Sequence, residues 1–229
     1  MNERENILGR IREALTTPAP LPGHNAHAAV KGPLAPAAPE DARQWLPLVG
    51  ATPQERLARF EQNAALLKAG FHLVSGLDQL RGLLLALRDG EAWKKVAAHQ
   101  GELTDFACNA LGLPVCRTDA AYEIAELETC SVGLSECDAL VAQTGSVLVT
   151  SRSAGGRALS VLPPHHVVFA RRVQLLGDLP EAFALIKKKY AGNYPSFISF
   201  ITGPSRTSDI ERILVLGAHG PRKLTILCV

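Results

Sequence analysis

Between Thr202 and Pro221 the sequence concentrates groups able to grip an anion or to move a proton. It reads Thr202-Gly203-Pro204-Ser205-Arg206-Thr207-Ser208-Asp209-Ile210, then, after an apolar segment, Gly217-Ala218-His219-Gly220-Pro221. Arg206, flanked by the hydroxyls of Ser205 and Thr207, supplies the charge-assisted donors that hold carboxylates and phosphates. Ser208 and Glu211 fit a capping box, and Ile210, Ile213 and Leu214 give the helix that follows an apolar face. The start of that helix adds unpaired N–H groups and a positive dipole end. His219, in a turn ending Gly220-Pro221, carries a ring that titrates near neutrality and suits acid–base work. A plainer reading stands beside this one: the hydroxyls cap the helix, Arg206 pairs with Asp209 or the sheet edge, and His219 bonds loop backbone.

Other polar groups are weaker candidates. Gln143-Thr144-Gly145-Ser146 interrupts an apolar run, and glycine there marks a bulge, a bend or a close backbone approach. If this break shares the sheet end of the stretch above, its amides and hydroxyls join the same pocket. His165-His166 follow two prolines, and neighbours on a strand face opposite ways, so at most one faces a site. His24 and His27 make only a weak metal candidate, since two ligands on an extended arm bind poorly. The five cysteines, Cys108, Cys116, Cys130, Cys137 and Cys228, contain no Cys-x-x-Cys; they read as free, buried thiols rather than as zinc or cluster ligands. Neither nucleotide signature is present, and there is no Gly-x-Ser-x-Gly elbow. No metal and no cofactor is expected in this chain.

Composition narrows the classes further. The 229 residues are 47% hydrophobic and 20% charged, ordinary for a globular protein with one sizeable core. A net charge of +2 and 5% aromatics give no case for nucleic acid. Charges interrupt the first fifteen residues, unlike a secretory signal, and no apolar run approaches the roughly 18 residues of a membrane span. The expectation is a cytoplasmic protein that binds neither nucleic acid nor membrane.

The elements that must position these groups are legible in part. Ile7, Leu8, Ile11 and Leu15 line one face of a short N-terminal helix, and prolines from Pro18 to Pro53 then make an extended arm. Residues 1–51 are thus helix and arm; residues 52–229 are the body. The body opens on Thr52-Pro53-Gln54-Glu55, an N-cap with its capping box, and that helix should end at Gly70. Strands are expected at Phe71–Val74, Trp93–Ala98 and Val115–Cys116, with helices around Leu80–Leu87 and Leu103–Leu111 between them. Such alternation argues a parallel α/β sheet. Further on, Glu126–Ser135 reads as a helix, Ala139–Thr150 as two strand pieces, and Ser151–Arg157 as a loop. Leu159–Leu162 and Val167–Ala170 are apolar runs flanking the two prolines and histidines. Leu179–Tyr190 is a helix with Phe183, Ile186 and Tyr190 inward. Phe197–Ile201 and Leu224–Val229 read as buried strands around the polar stretch, which places that stretch at the carboxyl end of a strand, where open α/β sheets bind ligands.

The motifs resemble one family. Ile201-Thr202-Gly203-Pro204-Ser205-Arg206-Thr207-Ser208-Asp209-Ile210-Glu211, Val215-Leu216-Gly217-Ala218-His219-Gly220-Pro221, Thr144-Gly145 before a β run, Leu162-Pro163-Pro164-His165 and the helix Ile7–Leu15 resemble the LUD-domain family, in its lactate utilisation protein C branch. The resemblance implies a fold similar to the NagB/RpiA/CoA-transferase group, α/β with a mainly parallel sheet flanked by helices. It implies a part in oxidising L-lactate to pyruvate within a multi-protein system, as the component without clusters, the iron–sulfur clusters residing in partner proteins. It carries over no catalytic residue. Two positions depart from the family's pattern, where an acidic residue often precedes the Thr-Gly step and Thr follows it: here these are Gln143 and Ser146. The expected site is a small carboxylate or phosphate pocket drawn from Thr144, Gly145, Ser146, Gly203, Ser205, Arg206, Thr207, Asp209, His219 and Gly220. A stand-alone enzyme on a small phosphorylated or acyl substrate and a metabolite-sensing regulator remain open beside the accessory role, as does a homo-oligomer.

Overall fold

The computed structural model describes residues 3–16, 47–207, 215–216 and 220–229. Its contacts divide the chain into two units, residues 1–46 and 47–229. The first contains helix α1, Glu3–Thr16. Most of the expected arm, with His24 and His27, lies outside the described residues.

The second unit opens on α2 (Pro53–Leu66). Thr52 Oγ1 accepts the Glu55 N–H at 3.2 Å and Glu55 Oε2 accepts the Thr52 N–H at 3.0 Å, the reciprocal box read from sequence. The helix stops earlier than its glycine suggested: Lys68 takes a left-handed φ of 64°, and Gly70 already belongs to β1 (Gly70–Leu73). There follow α3 (Leu77–Gly90), β2 (Val96–Ala98), α4 (Glu102–Leu111), β3 (Val115–Arg117), α5 (Ile124–Glu128), β4 (Val132–Glu136), β5 (Ala139–Val141), β6 (Ser146–Thr150), α6 (Ser151–Ala154), α7 (Arg157–Val161), β7 (His165–Ala170), β8 (Leu175–Leu176), α8 (Leu179–Tyr190), β9 (Ile198–Ile201), β10 (Arg206–Thr207), β11 (Val215–Leu216) and β12 (Lys223–Cys228).

Six strands form a wholly parallel sheet in the order β1-β12-β7-β4-β2-β3, and four form a second sheet, β8-β5-β6-β9, that is mostly antiparallel. The α/β class and mainly parallel sheet expected from the sequence are both present. Val167, Phe169 and Leu227 face one layer with Leu80 and Leu84 of α3 and Leu103 and Ala107 of α4. Val168, Ala170, Leu224, Ile226 and Cys228 face the other, with Phe60 and Ala64 of α2 and Leu140, Val147 and Val149 of the second sheet. Ala182, Ile186 and Tyr190 of α8 cover that sheet's far side. Burial on both faces is what makes Val167–Ala170 of β7 and most of β12 read as apolar runs.

The same double burial misleads at one point. The helix expected over Glu126–Ser135 is a short helix, α5, followed by the interior strand β4. Val132 to Ser135 are all buried, so no period-2 alternation marks the strand. Gly133 admits α7 to the sheet: a Cβ there would lie 2.7 Å from the Leu159 carbonyl oxygen. Three smaller differences stand beside it. Ser151–Arg157 is two short helices joined at Gly155-Gly156, and Leu159 lies in the second. Trp93 precedes β2 and packs edge-on against His165, ring centroids 5.3 Å apart. Phe183 of α8 is 59% exposed although its ring lies 5.5 Å from that of Phe200.

Candidate functional site

Three regions concentrate polar groups, two of them at opposite ends of the parallel sheet. The first is the stretch from Thr202. It follows β9, a half-buried edge strand of the second sheet, rather than a strand of the parallel sheet. The Ser205 N–H donates to the Pro221 carbonyl at 2.9 Å, and the Arg222 N–H to that of Pro164 at 2.8 Å, so the stretch meets β7 and β12 where they begin. Arg206 donates to the carbonyl of Leu67, just ahead of β1. The described part of the stretch therefore lies at the amino ends of β1, β7 and β12, whereas the sequence suggested a carboxyl end; the strand feeding it belongs to the other sheet.

Here the break at Thr144-Gly145 does meet the stretch. Ser146 Oγ lies 2.7 Å from Thr202 Oγ1. Gly145 turns the β5–β6 hairpin at φ 66°, and a Cβ on it would strike Asn63 of α2 at 2.8 Å. Asn63 Nδ2 donates to the carbonyls of Ala142 and Gln143 at 2.8 and 3.0 Å, fixing the turn to the helix. Gly203 packs on Leu67, one turn further along the same helix end. Thr144 Oγ1 is buried without a hydrogen-bond partner among the described residues. Gly220 lies against Ser205, where a Cβ would come 3.1 Å from that of Ser205. Arg206 and Thr207 pair with Leu216 and Val215 in a two-residue ladder. Asp209, His219 and the helix expected from Ser208 lie outside the described residues.

The second region was not read from the sequence. At the carboxyl edge, the chain leaves β2 toward β3 on one side and β4 toward β7 on the other, so strand order reverses between β2 and β4. Such a reversal opens a crevice. His99 follows β2, and its Nδ1 lies 3.2 Å from Thr118 Oγ1 and 4.0 Å from Asp119 Oδ1, both after β3. Asp119 Oδ1 also accepts the Gln100 N–H at 2.9 Å. Gly155, at φ 68°, presses its backbone on the ring: a Cβ there would lie 2.6 Å from His99 Nδ1 and 2.3 Å from Thr118 Oγ1. A ring steered by a hydroxyl and a carboxylate through one nitrogen leaves the other for acid–base work. Nearby, Glu136 at the end of β4 accepts the Leu103 N–H at 2.7 Å and the Arg171 Nη1 donor at 3.1 Å, and so occupies the start of α4 itself.

A third cluster is internal. Asp138 accepts from Lys189 Nζ and Tyr190 OH, both at 2.5 Å, from Ser153 Oγ at 2.8 Å and from Thr150 Oγ1 at 2.9 Å. Burial alone would raise its carboxyl; those four donors outweigh burial and hold it below the usual range. With every lone pair engaged, it fastens α8 to β6 and α6. His165 and His166 are both buried, and burial pushes them down to about 4 and about 3. Nε2 of each lies at hydrogen-bond distance from a hydroxyl, His165 from Thr225 Oγ1 at 2.8 Å and His166 from Ser135 Oγ at 2.9 Å. All five cysteines are buried, and burial raises every thiol, Cys130 to about 11. Among the described residues no helix is long and apolar enough to cross a membrane.

Comparison with known proteins places this geometry. A "Lactate utilization protein C" from Bacillus licheniformis is 34% identical over 134 residues, 56% of this chain and 55% of that protein. One from Shouchella clausii is 34% identical over 139 residues, 60% of this chain and 61% of that protein, and one from Bacillus subtilis is 32% identical over 123 residues, 52% and 51%. The chain thus spans between half and two thirds of the length of these curated relatives. The crystal structure of a DUF162 family protein from Deinococcus radiodurans superposes with a TM-score of 0.62 at 23% identity, covering 79% of this chain and 99% of that one, a likeness of fold. The family model of the LUD domain matches residues 97–229, from inside β2 through β12, and so takes in both polar edges of the parallel sheet. On that match the chain belongs to the LUD domain family.

Proposed function

We propose that the chain acts in L-lactate utilisation, as the cluster-free component of a multi-protein system that oxidises L-lactate to pyruvate with iron–sulfur proteins as partners. One observation carries this: relatives bearing the name lactate utilization protein C match at 31–36% identity. The five buried cysteines lack the close spacing of cluster ligands, which supports leaving the clusters to the partners. The small-anion pocket we assign to Thr144, Gly145, Ser146, Gly203, Ser205, Arg206, Thr207, Asp209, His219 and Gly220. Two facts support it: the Ser146–Thr202 bond that joins the two segments, and the Thr144 hydroxyl beside them, unpaired among the described residues. The working compartment is the cytoplasm.

A second reading, a stand-alone enzyme on a small acyl or phosphorylated substrate, has one specific observation behind it: His99 steered by Thr118 and Asp119 at the crevice of the carboxyl edge. Purification separates the two. The first expects the tagged chain to co-purify with iron–sulfur proteins and to be inert on L-lactate alone; the second expects turnover by the isolated chain that His99→Gln removes.

A further inference from the structure

Where α2 begins, a groove of about 490 Å³ is lined by Ala51, Pro53, Arg56, Arg172, Val173 and Leu175. It shares Pro53, Arg172 and Leu175 with a smaller cleft of about 160 Å³ that adds Gln54 and Leu57. Two guanidinium groups thus stand in walls that are otherwise mainly aliphatic. Arg172 follows β7, so the groove belongs to the carboxyl edge, away from Arg206.

The two arginines are not equally engaged. Arg56 Nη1 pairs with Glu181 Oε2 at 3.3 Å, but its Nε is buried with no hydrogen-bond partner among the described residues. A buried donor on a charged group is costly to leave unpaired. Arg172 Nη2 reaches only the Val74 carbonyl, at 3.3 Å, and no acidic side chain pairs with Arg172 among the described residues. With Glu181 balancing Arg56, the groove's described side chains keep one positive charge, that of Arg172. One net charge and aliphatic walls suit a monoanion with an apolar body better than a phosphate dianion.

We propose that this groove binds a short-chain aliphatic monocarboxylate. The carboxylate lies between Arg56 and Arg172, and the tail lies on Pro53, Leu57, Val173 and Leu175. The site is separate from the pocket at the amino edge, and the two stand or fall independently.

Calorimetric titration of the full chain with butyrate, and in parallel with inorganic phosphate, tests it. Butyrate should bind and phosphate should bind at least tenfold more weakly. Arg172→Gln should weaken butyrate at least tenfold, and so should Val173→Asp, which sets a like charge beside the carboxylate at a residue that is 88% exposed. Arg56→Gln also removes the Glu181 pair, so it is read beside Arg56→Lys, which keeps the charge and should lose less. Arg206→Ala should bind butyrate as the parent does. The proposal is overturned if the parent does not bind butyrate, if phosphate binds as tightly and Arg172→Gln removes that binding too, or if Arg172→Gln and Val173→Asp leave butyrate affinity unchanged. Loss of butyrate binding in Arg206→Ala would also overturn it and move the anion to the amino-edge pocket.

Discussion

Ser146 Oγ and Thr202 Oγ1 lie 2.7 Å apart and join segments separated by 56 positions. Ser146 is buried while Thr202 is exposed, so the two are not equivalent. Thr202→Ala strips a buried hydroxyl of its partner and should cost about 1–2 kcal/mol. In a double-mutant cycle with Ser146→Ala, urea unfolding should give a coupling of roughly 0.5–1.5 kcal/mol. Additive losses would mean that the bond does not hold the two segments together.

Asp138 should be the most sensitive polar residue of the core. Asp138→Ala leaves Tyr190, Thr150 and Ser153 without their acceptor and Lys189 without its counter-charge. The expected loss is on the order of 3 kcal/mol by denaturant unfolding. Its carboxyl is held low in the fold, so its contribution is complete above the ordinary carboxylate value and is lost as pH falls through the lowered one. Asp138→Asn should therefore flatten the stability curve below about pH 4.

A second acid dependence begins nearer neutrality. His165 and His166 stay neutral in the fold down to about 4 and about 3, while the unfolded chain takes up protons near 6.5. The unfolded state then binds more protons, so stability falls as pH drops below about 6.5. Each histidine should contribute roughly 1.4 kcal/mol per pH unit down to its folded value. His166→Gln should remove about half of that slope between pH 6 and 5, measured by urea unfolding.

Gly155→Ala should disturb the crevice more than the fold. The new Cβ meets His99 Nδ1 and Thr118 Oγ1 well inside van der Waals contact, at a backbone angle that favours glycine. A loss of about 1–3 kcal/mol is expected. The imidazole resonances of His99 should shift in proton–nitrogen spectra while those of His166 do not.

The parts of this fold that were legible in the sequence are those with a local code. Thr52, Pro53 and Glu55 announce the start of α2, and Gly112, at φ 63°, ends α4 as its position suggested. Strand β4 had no such code, because Val132 to Ser135 are buried on both faces and carry no alternation. The polar stretch from Thr202 was visible by composition, but its place at the amino edge depends on β9 joining the second sheet, a long-range pairing with β6. His99, Asp119, Glu136 and Arg171 were missed for a related reason. Each stands alone in sequence at the end of a different strand, and only the strand order draws them to one edge.

The most direct test of the account is growth and lactate oxidation in the source organism with and without this chain. A strain lacking it should fail to grow on L-lactate as sole carbon source, grow normally on pyruvate, and lose L-lactate-dependent reduction of an electron acceptor in extracts. The plasmid-borne chain should restore both. Undiminished growth and lactate oxidation in the deleted strain would contradict the proposed function.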